Sequence, residues 1–293
     1  MTPIKGFGIV LLGATTLVHA GRHHDDDDGG MTVKAEETIE KTFSVSPGGG
    51  ASFDLDNVYG SIEVVGTSGH QIQVTVAKTI RAATQADLDL AKSEVTLDVT
   101  QDGDAVRLYA NGPFRCGENC LDCRREYRRR YVVTMDFKVR VPEHIALRLK
   151  TVNHGRVTVE NVLGSYQVRN VNGEITMRNV GGSGEAKTVN GAVRVSFREN
   201  PREASEFSTV NGDVELVFAK SPDADFRFKT FNGEIYSDFT MTALPLAAPT
   251  RERKNGRFVY RSDRYTGGRA GSGGPEIKLE NLNGDIRVLE SGS

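Results

Sequence analysis

The sequence predicts an all-β protein, a β-solenoid-like stack of short strands joined by Asn-Gly turns, with one short helix near residues 84–94. Three observations predict it. A short unit centred on Asn-Gly recurs through the second half of the chain. Apolar and polar residues alternate after each turn. Glycine is abundant (32) and tryptophan is absent, the composition of many short strands closed by glycine turns.

The units read TVNHGRVTV (151–159), NVLGSYQV (161–168), NVNGEITM (170–177), TVNGAVRV (188–195), TVNGDVEL (209–216), TFNGEIYS (230–237) and NLNGDIRV (281–288), with an earlier outlier NVYGSIEV (57–64). Gly155, Gly164, Gly173, Gly182 and Gly191 each follow the last by nine residues; Gly212 and Gly233 follow at steps of twenty-one. Asn-Gly suits backbone angles with φ > 0, so each pair marks a tight turn. Apolar residues stand two and four places after nearly every glycine, a period of two that predicts a strand with one buried face. The unit after Gly182 is the weak one, with Gly184 and Ala186 in those places. A further apolar residue precedes most glycines by two: Val162, Val171, Val189, Val210, Phe231 and Leu282. These are expected to point into the same core. One nine-residue unit cannot bury its face alone, so pairs of units must stack into a continuous narrow core. An antiparallel β-sandwich satisfies the same alternation; the fixed glycine period favours the solenoid.

The other elements follow in order. Lys5, the apolar run Gly6–Val18, and the small residues Val18 and Ala20 before a cleavage point predict a signal peptide over residues 1–20. The run is far shorter than the ~20 residues a membrane-spanning helix needs. No cysteine stands beside the cleavage point, which argues against a lipoprotein. Residues 21–48 are expected to form a flexible acidic segment containing HHDDDD (23–28), a solvated tail rather than a metal site. Residues 49–293 are expected to form a single elongated β-repeat domain. Within it, FDLDNVYGSIEVVG and QIQVTVAKTI alternate as strands. Leu88 and Ala91 stand at helical spacing after Thr84, a candidate N-cap. EVTLDVTQ and AVRLYA flank DGD as a hairpin, and YVVTMDFKVRVP is a strand leading into the repeats. A Cys/Arg-rich loop spans 112–130. A basic, Gly-rich insertion at 240–274 interrupts the repeats as a long loop or hairpin before the last unit resumes.

All three cysteines lie in RCGENCLDCRR (115–125), spaced C-x3-C-x2-C. That is the spacing of radical-SAM clusters, but the flanks are β segments, no alternation of strands and helices follows, and export favours disulfides. A zinc site needs a fourth ligand, for which His70, His144 and His154 are candidates. The favoured reading is one disulfide among Cys116, Cys120 and Cys123, with Cys116–Cys123 and Cys116–Cys120 as the plausible pairs. The third thiol is then free or joins two chains in a disulfide-linked dimer. Beside it, Arg124, Arg125, Arg128, Arg129 and Arg130 interleave with Tyr127 and Tyr131. This suits an anionic ligand such as a phosphate or acidic glycan. It equally suits a solvated strand edge whose charge blocks pairing. Glu174, Asp213, Glu234 and Asp285 follow turn glycines and would form a column interrupted by Arg156 and Ala192. A salt-bridged face, with Arg194 and Glu215 among its members, is favoured over a calcium site.

The lead-in FKVRVPEHIALRLKTVNHG (137–155), the iterated TVNG units and the closing GGPEIKLENLNGDIRV (273–288) together resemble the DUF4097 family, bacterial candidate adhesins with β-strand repeats. The resemblance covers roughly residues 51–289 and is strongest from Val139 onward. It implies an extracytoplasmic β-solenoid-like protein with no established catalytic residues. The Cys/Arg insert and the acidic N-terminus depart from the family pattern.

No G-x-S-x-G elbow, H-E-x-x-H or P-loop is present. The net charge of −2 gives no pull toward nucleic acid. The expectation is therefore a non-enzymatic exported protein that needs no cofactor. It would be periplasmic, cell-surface or secreted, with no transmembrane segment once the leader is cleaved. Its role would be a structural or adhesive interaction module whose partner is an envelope component, glycan or protein. The alternative is a thiol- or metal-responsive binding protein using Cys116, Cys120 and Cys123. A carbohydrate-active β-helix enzyme ranks below both.

Overall fold

In a computed structural model, the described residues are 16–17, 30–46, 50–115, 130–245, 250–254, 257–261 and 265–292. The chain is nearly all β and divides into two compact units, Met1–Val157 and Thr158–Ser293.

In the first unit one sheet has the order β1-β2-β5-β8-β4. Its strands are β1 (Thr16–Leu17), β2 (Val33–Ser44), β4 (Ile62–Thr67), β5 (Gln71–Ala82) and β8 (Tyr131–Pro142). The other has the order β9-β3-β7-β6, from β3 (Ser52–Asp56), β6 (Thr96–Asp102), β7 (Ala105–Asn111) and β9 (Ala146–Lys150). β2 corrects the expectation of a flexible segment over 21–48. It pairs antiparallel with β5 along its whole length, from Val33↔Ala82 to Ser44↔Gln71. Val33, Ala35, Ile39 and Phe43 share its less exposed face, opposite a face that is wholly polar, so the period of two is present and is interrupted only by Glu37 and Lys41.

The expected helix is α1 (Gln85–Glu94). Thr84 caps it, its Oγ1 accepting the Asp87 amide at 3.2 Å. Leu88 and Ala91 are buried beneath it. The buried Lys78 donates to the carbonyl of Val95 at the C-terminal end (2.6 Å), where the helix dipole favours a cation. β6 and β7 form the expected hairpin, Thr96↔Asn111 to Asp102↔Ala105.

The second unit is the repeat stack. One sheet runs β10-β12-β14-β16-β24-β18 and the other β11-β13-β15-β23-β17-β22-β19. The first sheet's strands are β10 (Val157–Glu160), β12 (Ile175–Val180), β14 (Val193–Phe197), β16 (Val214–Phe218), β18 (Ile235–Ser237) and β24 (Ile286–Glu290). The second has β11 (Tyr166–Arg169), β13 (Gly184–Lys187), β15 (Ser205–Ser208), β17 (Ala224–Lys229), β19 (Thr242–Leu244), β22 (Thr266–Ala270) and β23 (Glu276–Glu280). Each coil gives one strand to each sheet, and coils stack parallel and in register: Ile175↔Val193, Val193↔Val214, Val214↔Ile286 and Ile286↔Ile235. The parallel, one-strand-per-coil stack settles the choice against an antiparallel sandwich. After Gly191, Gly212 and Gly284 the apolar residues at two and four places are buried, as their period requires: Val193, Val195, Val214, Leu216, Ile286 and Val288 are all at most 1% exposed, whereas Ile235, after Gly233, is exposed. Phe197, Phe207, Phe218 and Phe226 run through this core, with Phe197 stacked on Phe218 at 4.9 Å.

One feature of the stack is not legible as a repeat. The last coil in sequence is not last in space. β23 lies between β15 and β17, and β24 between β16 and β18. The basic insertion contains β19, β22 and the antiparallel hairpin β20 (Thr250–Lys254) and β21 (Arg257–Arg261). β22 runs antiparallel to both β17 and β19 at the end of the second sheet.

Candidate functional site: the turn edge of the repeat stack

The motif T/N-x-N-G supplies four side-by-side columns on the edge where each coil passes from the second sheet to the first. The first position is polar, buried at Thr188, Thr209 and Asn281 and half-buried at Thr230. Thr188 Oγ1 donates to the carbonyl of Gly173, and Thr209 Oγ1 to that of Gly191, both at 2.8 Å. Asn281 Nδ2 does the same toward Gly212 (3.2 Å) and Thr230 Oγ1 toward Gly284 (3.4 Å). Each coil thereby satisfies a turn carbonyl of its neighbour, which would otherwise be a buried acceptor without a donor.

The third position is an amide ladder. Nδ2 of Asn190, Asn211, Asn283 and Asn232 donates in turn to Oδ1 of Asn172, Asn190, Asn211 and Asn283, at 2.7–2.8 Å. The fourth position is glycine because the coils approach too closely for a side chain. A Cβ on Gly191 would lie 2.5 Å from the Gly173 oxygen, and one on Gly212 2.2 Å from the Gly191 oxygen. Positive φ at Gly191, Gly212 and Gly284 adds the conformational reason.

The second position corrects the sequence expectation. Val162 is buried, but Val189, Val210, Leu282 and Phe231 are 36%, 38%, 44% and 70% exposed. The chain turns at the preceding Thr or Asn, whose polar group takes the inward place, so the next side chain faces solvent. Backbone bonds Asn211 N–H to Val189 O, Asn283 N–H to Val210 O and Asn232 N–H to Leu282 O place these residues on successive coils. They form an apolar row in the order Val189, Val210, Leu282, Phe231, which reads along the stack and not along the sequence. β18 extends it with Ile235 and Tyr236, both exposed. A cleft of about 380 Å³ opens beside the row. It is lined by Val210, Leu282, Phe231, Thr209 and the ion-paired Lys229 and Glu280. Burial of the Glu280 carboxyl opposes its charge, yet hydrogen bonds from Lys229 and Tyr265 hold it below the usual glutamate range.

The acidic column is salt-bridged. Because the C-terminal coil sits inside the stack, Asp213, Asp285 and Glu234 occupy successive coils. Arg287 bridges Asp213 (2.8 Å) and Asp285 (2.6 Å), and Tyr236 donates to Glu234 (2.5 Å). The Asp285 amide and the Arg287 guanidinium hold Asp213 below the usual aspartate range. Arg194 pairs with Glu174 (3.1 Å). Among the described residues, no group of three or more His, Cys, Asp or Glu side chains is arranged to hold a metal.

Cys116, Cys120, Cys123, Arg124, Arg125, Arg128 and Arg129 lie outside the described residues. Arg130, at the end of that loop, is exposed, 3.6 Å from the Asp87 carboxylate. Arg115, at its start, is clamped. It donates to Asp56 Oδ1 (2.8 Å), Asp56 O (2.7 Å) and Ala110 O (2.8 Å), and lies over the Tyr109 ring at 4.0 Å. Among the described residues no helix is long and apolar enough to cross a membrane.

The profile of the family described as Toastrack DUF4097 matches residues 146–289. No match to the chain was found among curated proteins. Among solved structures, a candidate cell adhesion protein of Clostridium sporogenes is 10% identical, covering 87% of this chain and 100% of its own, with a TM-score of 0.38. A candidate adhesin of Bacteroides fragilis is 11% identical, covering 86% and 96%, with a TM-score of 0.38. A candidate lipid-binding protein of Parabacteroides distasonis is 10% identical, covering 86% and 96%, with a TM-score of 0.27.

Proposed function

The repeat region, residues 146–289, belongs to the Toastrack DUF4097 family, and on that premise we propose that the chain is an exported, non-catalytic interaction module of the cell envelope. The contact surface in this reading is the apolar row of Val189, Val210, Leu282 and Phe231, and the partner is a protein or glycan of the envelope. The observation that carries it is the exposure of four large apolar side chains in a regularly hydrogen-bonded region. Buried Thr and Asn side chains hold that edge rigid, so binding would order few new groups. Contiguous exposed apolar surface on a folded protein marks an interaction site. The leader-like residues 1–20 support export.

The cysteine loop has a supporting role in this reading. Two of Cys116, Cys120 and Cys123 close a disulfide, with the third available to a second chain. Arg124, Arg125, Arg128, Arg129 and Arg130 offer an anionic contact beside it.

The test is retention of the purified protein on isolated envelope fractions. The Phe231→Ser/Leu282→Ser double variant should lose most retention while its unfolding midpoint stays near that of the parent. Equal retention of parent and variant would overturn the assignment of the surface. Release of reducing ends or other turnover from an envelope polysaccharide would overturn the non-catalytic reading.

A further inference from the structure

The C-terminal coil sits where the spacing of the repeats leaves no need for one. Gly191 and Gly212 are twenty-one residues apart and sit on adjacent coils, joined by the Gly191 amide to the Asn211 carbonyl (2.9 Å). Gly212 and Gly233 are also twenty-one residues apart, yet their coils are two levels apart, with β23 and β24 between them. The registers on the two sides of the insertion agree. Val214 and Ile235 both face Ile286; Phe207 and Phe228 both face Leu279. The backbone groups are complementary as well. Gly212 N–H and Val214 N–H donate to the inserted coil, and Asn232 O and Glu234 O accept from it. Without the insert, the first pair matches the second just as Gly191 and Val193 match Asn211 and Asp213.

The backbone bonds at the inserted coil are as short as its neighbours', but its first-position side-chain contacts are looser. Asn281 stands where the three coils TVNGAVRV, TVNGDVEL and TFNGEIYS have threonine, and its Oδ1 is buried without a hydrogen-bond partner. Thr230 reaches the Gly284 carbonyl at 3.4 Å, against 2.8 Å for Thr188 and Thr209 at the same position. The flanking coils still touch past the insert. The Phe218 ring stands edge-on to Phe226 at 6.0 Å and to Phe239 at 6.2 Å.

We propose that the coil of β17 and β18 has two seats, and that the C-terminal coil of β23 and β24 is a removable wedge between them. With the wedge in, the stack is the one described above. With the wedge out, β17 and β18 close directly onto β15 and β16, in register, with Thr230 taking the Gly212 carbonyl. Removing the wedge then leaves no open slot in the core. It releases a two-strand segment tethered through residues 271–275 to β22, which stays paired with β17, with both strand edges free.

Cysteine pairs on the amide ladder read the two seats. Adjacent coils are ~4.8 Å apart and alternate ones about 9.6 Å, while a disulfide requires Cα atoms within about 7 Å. In the full chain under mild oxidation, Asn211→Cys/Asn283→Cys should close at once, reporting the wedged seat. Asn211→Cys/Asn232→Cys should close more slowly, through the direct seat, and closed molecules should lose hydrogen-exchange protection over 276–290. Peptide mass mapping locates the bonds, since the chain carries three other cysteines. Closure of 211–232 no faster than an Asn190→Cys/Asn232→Cys control would overturn the proposal. The unaltered chain gives a second reading. Amides of 276–280 and 286–290 should open together, before those of β12, β14 and β16. If they open only with those strands, the wedge does not leave and the proposal fails.

Discussion

Replacing Gly212 by alanine tests whether close approach, and not turn geometry alone, selects glycine at the fourth position. A Cβ there would sit 2.2 Å from the Gly191 oxygen and 2.6 Å from its carbon. Both are backbone atoms, so no side chain can swing away. Restoring an ordinary contact needs a separation of about 1 Å between two coils whose spacing is only ~4.8 Å. That movement takes the bonds Gly191 N–H to Asn211 O and Val193 N–H to Asp213 O, each 2.9 Å, beyond hydrogen-bonding range. Two lost bonds contribute roughly 2 kcal/mol. The positive φ of 153° adds about 1 kcal/mol for a residue with a Cβ. The expected loss is therefore about 3 kcal/mol. Gly103→Ala is the comparison, since Gly103 has φ of 57° but nothing within 4 Å of the place a Cβ would take. It should lose only about 1 kcal/mol. Urea unfolding followed by circular dichroism measures both, each variant read on the transition of its own unit. Equal losses would refute the close-approach argument and leave φ as the sole reason for glycine.

Three further outcomes are expected, two from the geometry and one from the sequence of the cysteine loop. Phe207 is fully buried and Phe231 is mostly exposed, so Phe207→Ala should destabilise by about 3–5 kcal/mol, and Phe231→Ala by less than about 0.5 kcal/mol, in the same urea assay. Asp213 has its folded pKa held below the unfolded value of about 3.9, so its stabilisation is present above pH ~4 and is lost as pH falls through the folded value. Asp213→Asn should therefore be less stable than the parent at pH 6, and the gap should narrow steadily below pH ~4 in acid titrations of the unfolding midpoint. Intact mass after alkylation of protein from an oxidising compartment should show one free thiol among Cys116, Cys120 and Cys123; three protected thiols with about one bound zinc or iron would reverse the reading of that loop.

The repeat was legible because its determinants are local. Val193, Val195, Val214 and Leu216 announce a buried face through period two alone, and each occupies the core. The helix was legible for the same reason, from Thr84 and the spacing of Leu88 and Ala91. β2 was less so: Val33, Ala35, Ile39 and Phe43 do alternate, but Glu37 and Lys41 interrupt their face, and the strand is paired along its whole length by β5. The residues preceding the glycines were misread because period two was extended through the turn. From Thr209 to Val210 the chain leaves the strand, and the buried threonine hydroxyl, bonded to the Gly191 carbonyl, takes the inward place. Thr-x-Asn-Gly therefore carries the signal in its threonine: a small hydroxyl before Asn-Gly marks the inward position, and the apolar residue after it is the one exposed.

Stack order is a different kind of information. NLNGDIRV and TFNGEIYS share the Asn-Gly turn and an apolar residue two places after it, so the turn signature by itself does not say which coil each follows. Self-similarity is what makes the fold easy to recognise, and it is also what leaves neighbour choice open. The order here is set by chain connectivity and by the end of the stack. β17 is paired on its far side by the antiparallel β22, which closes the second sheet to further parallel coils there. The last coil, arriving after that cap in sequence, has its place between β15 and β17. The apolar row inherits this order. Leu282 stands between Val210 and Phe231 only because the last coil is inside the stack, so the proposed contact surface and the proposed wedge share residues. Loss of the wedge would join Val210 directly to Phe231 and shorten the row by one step.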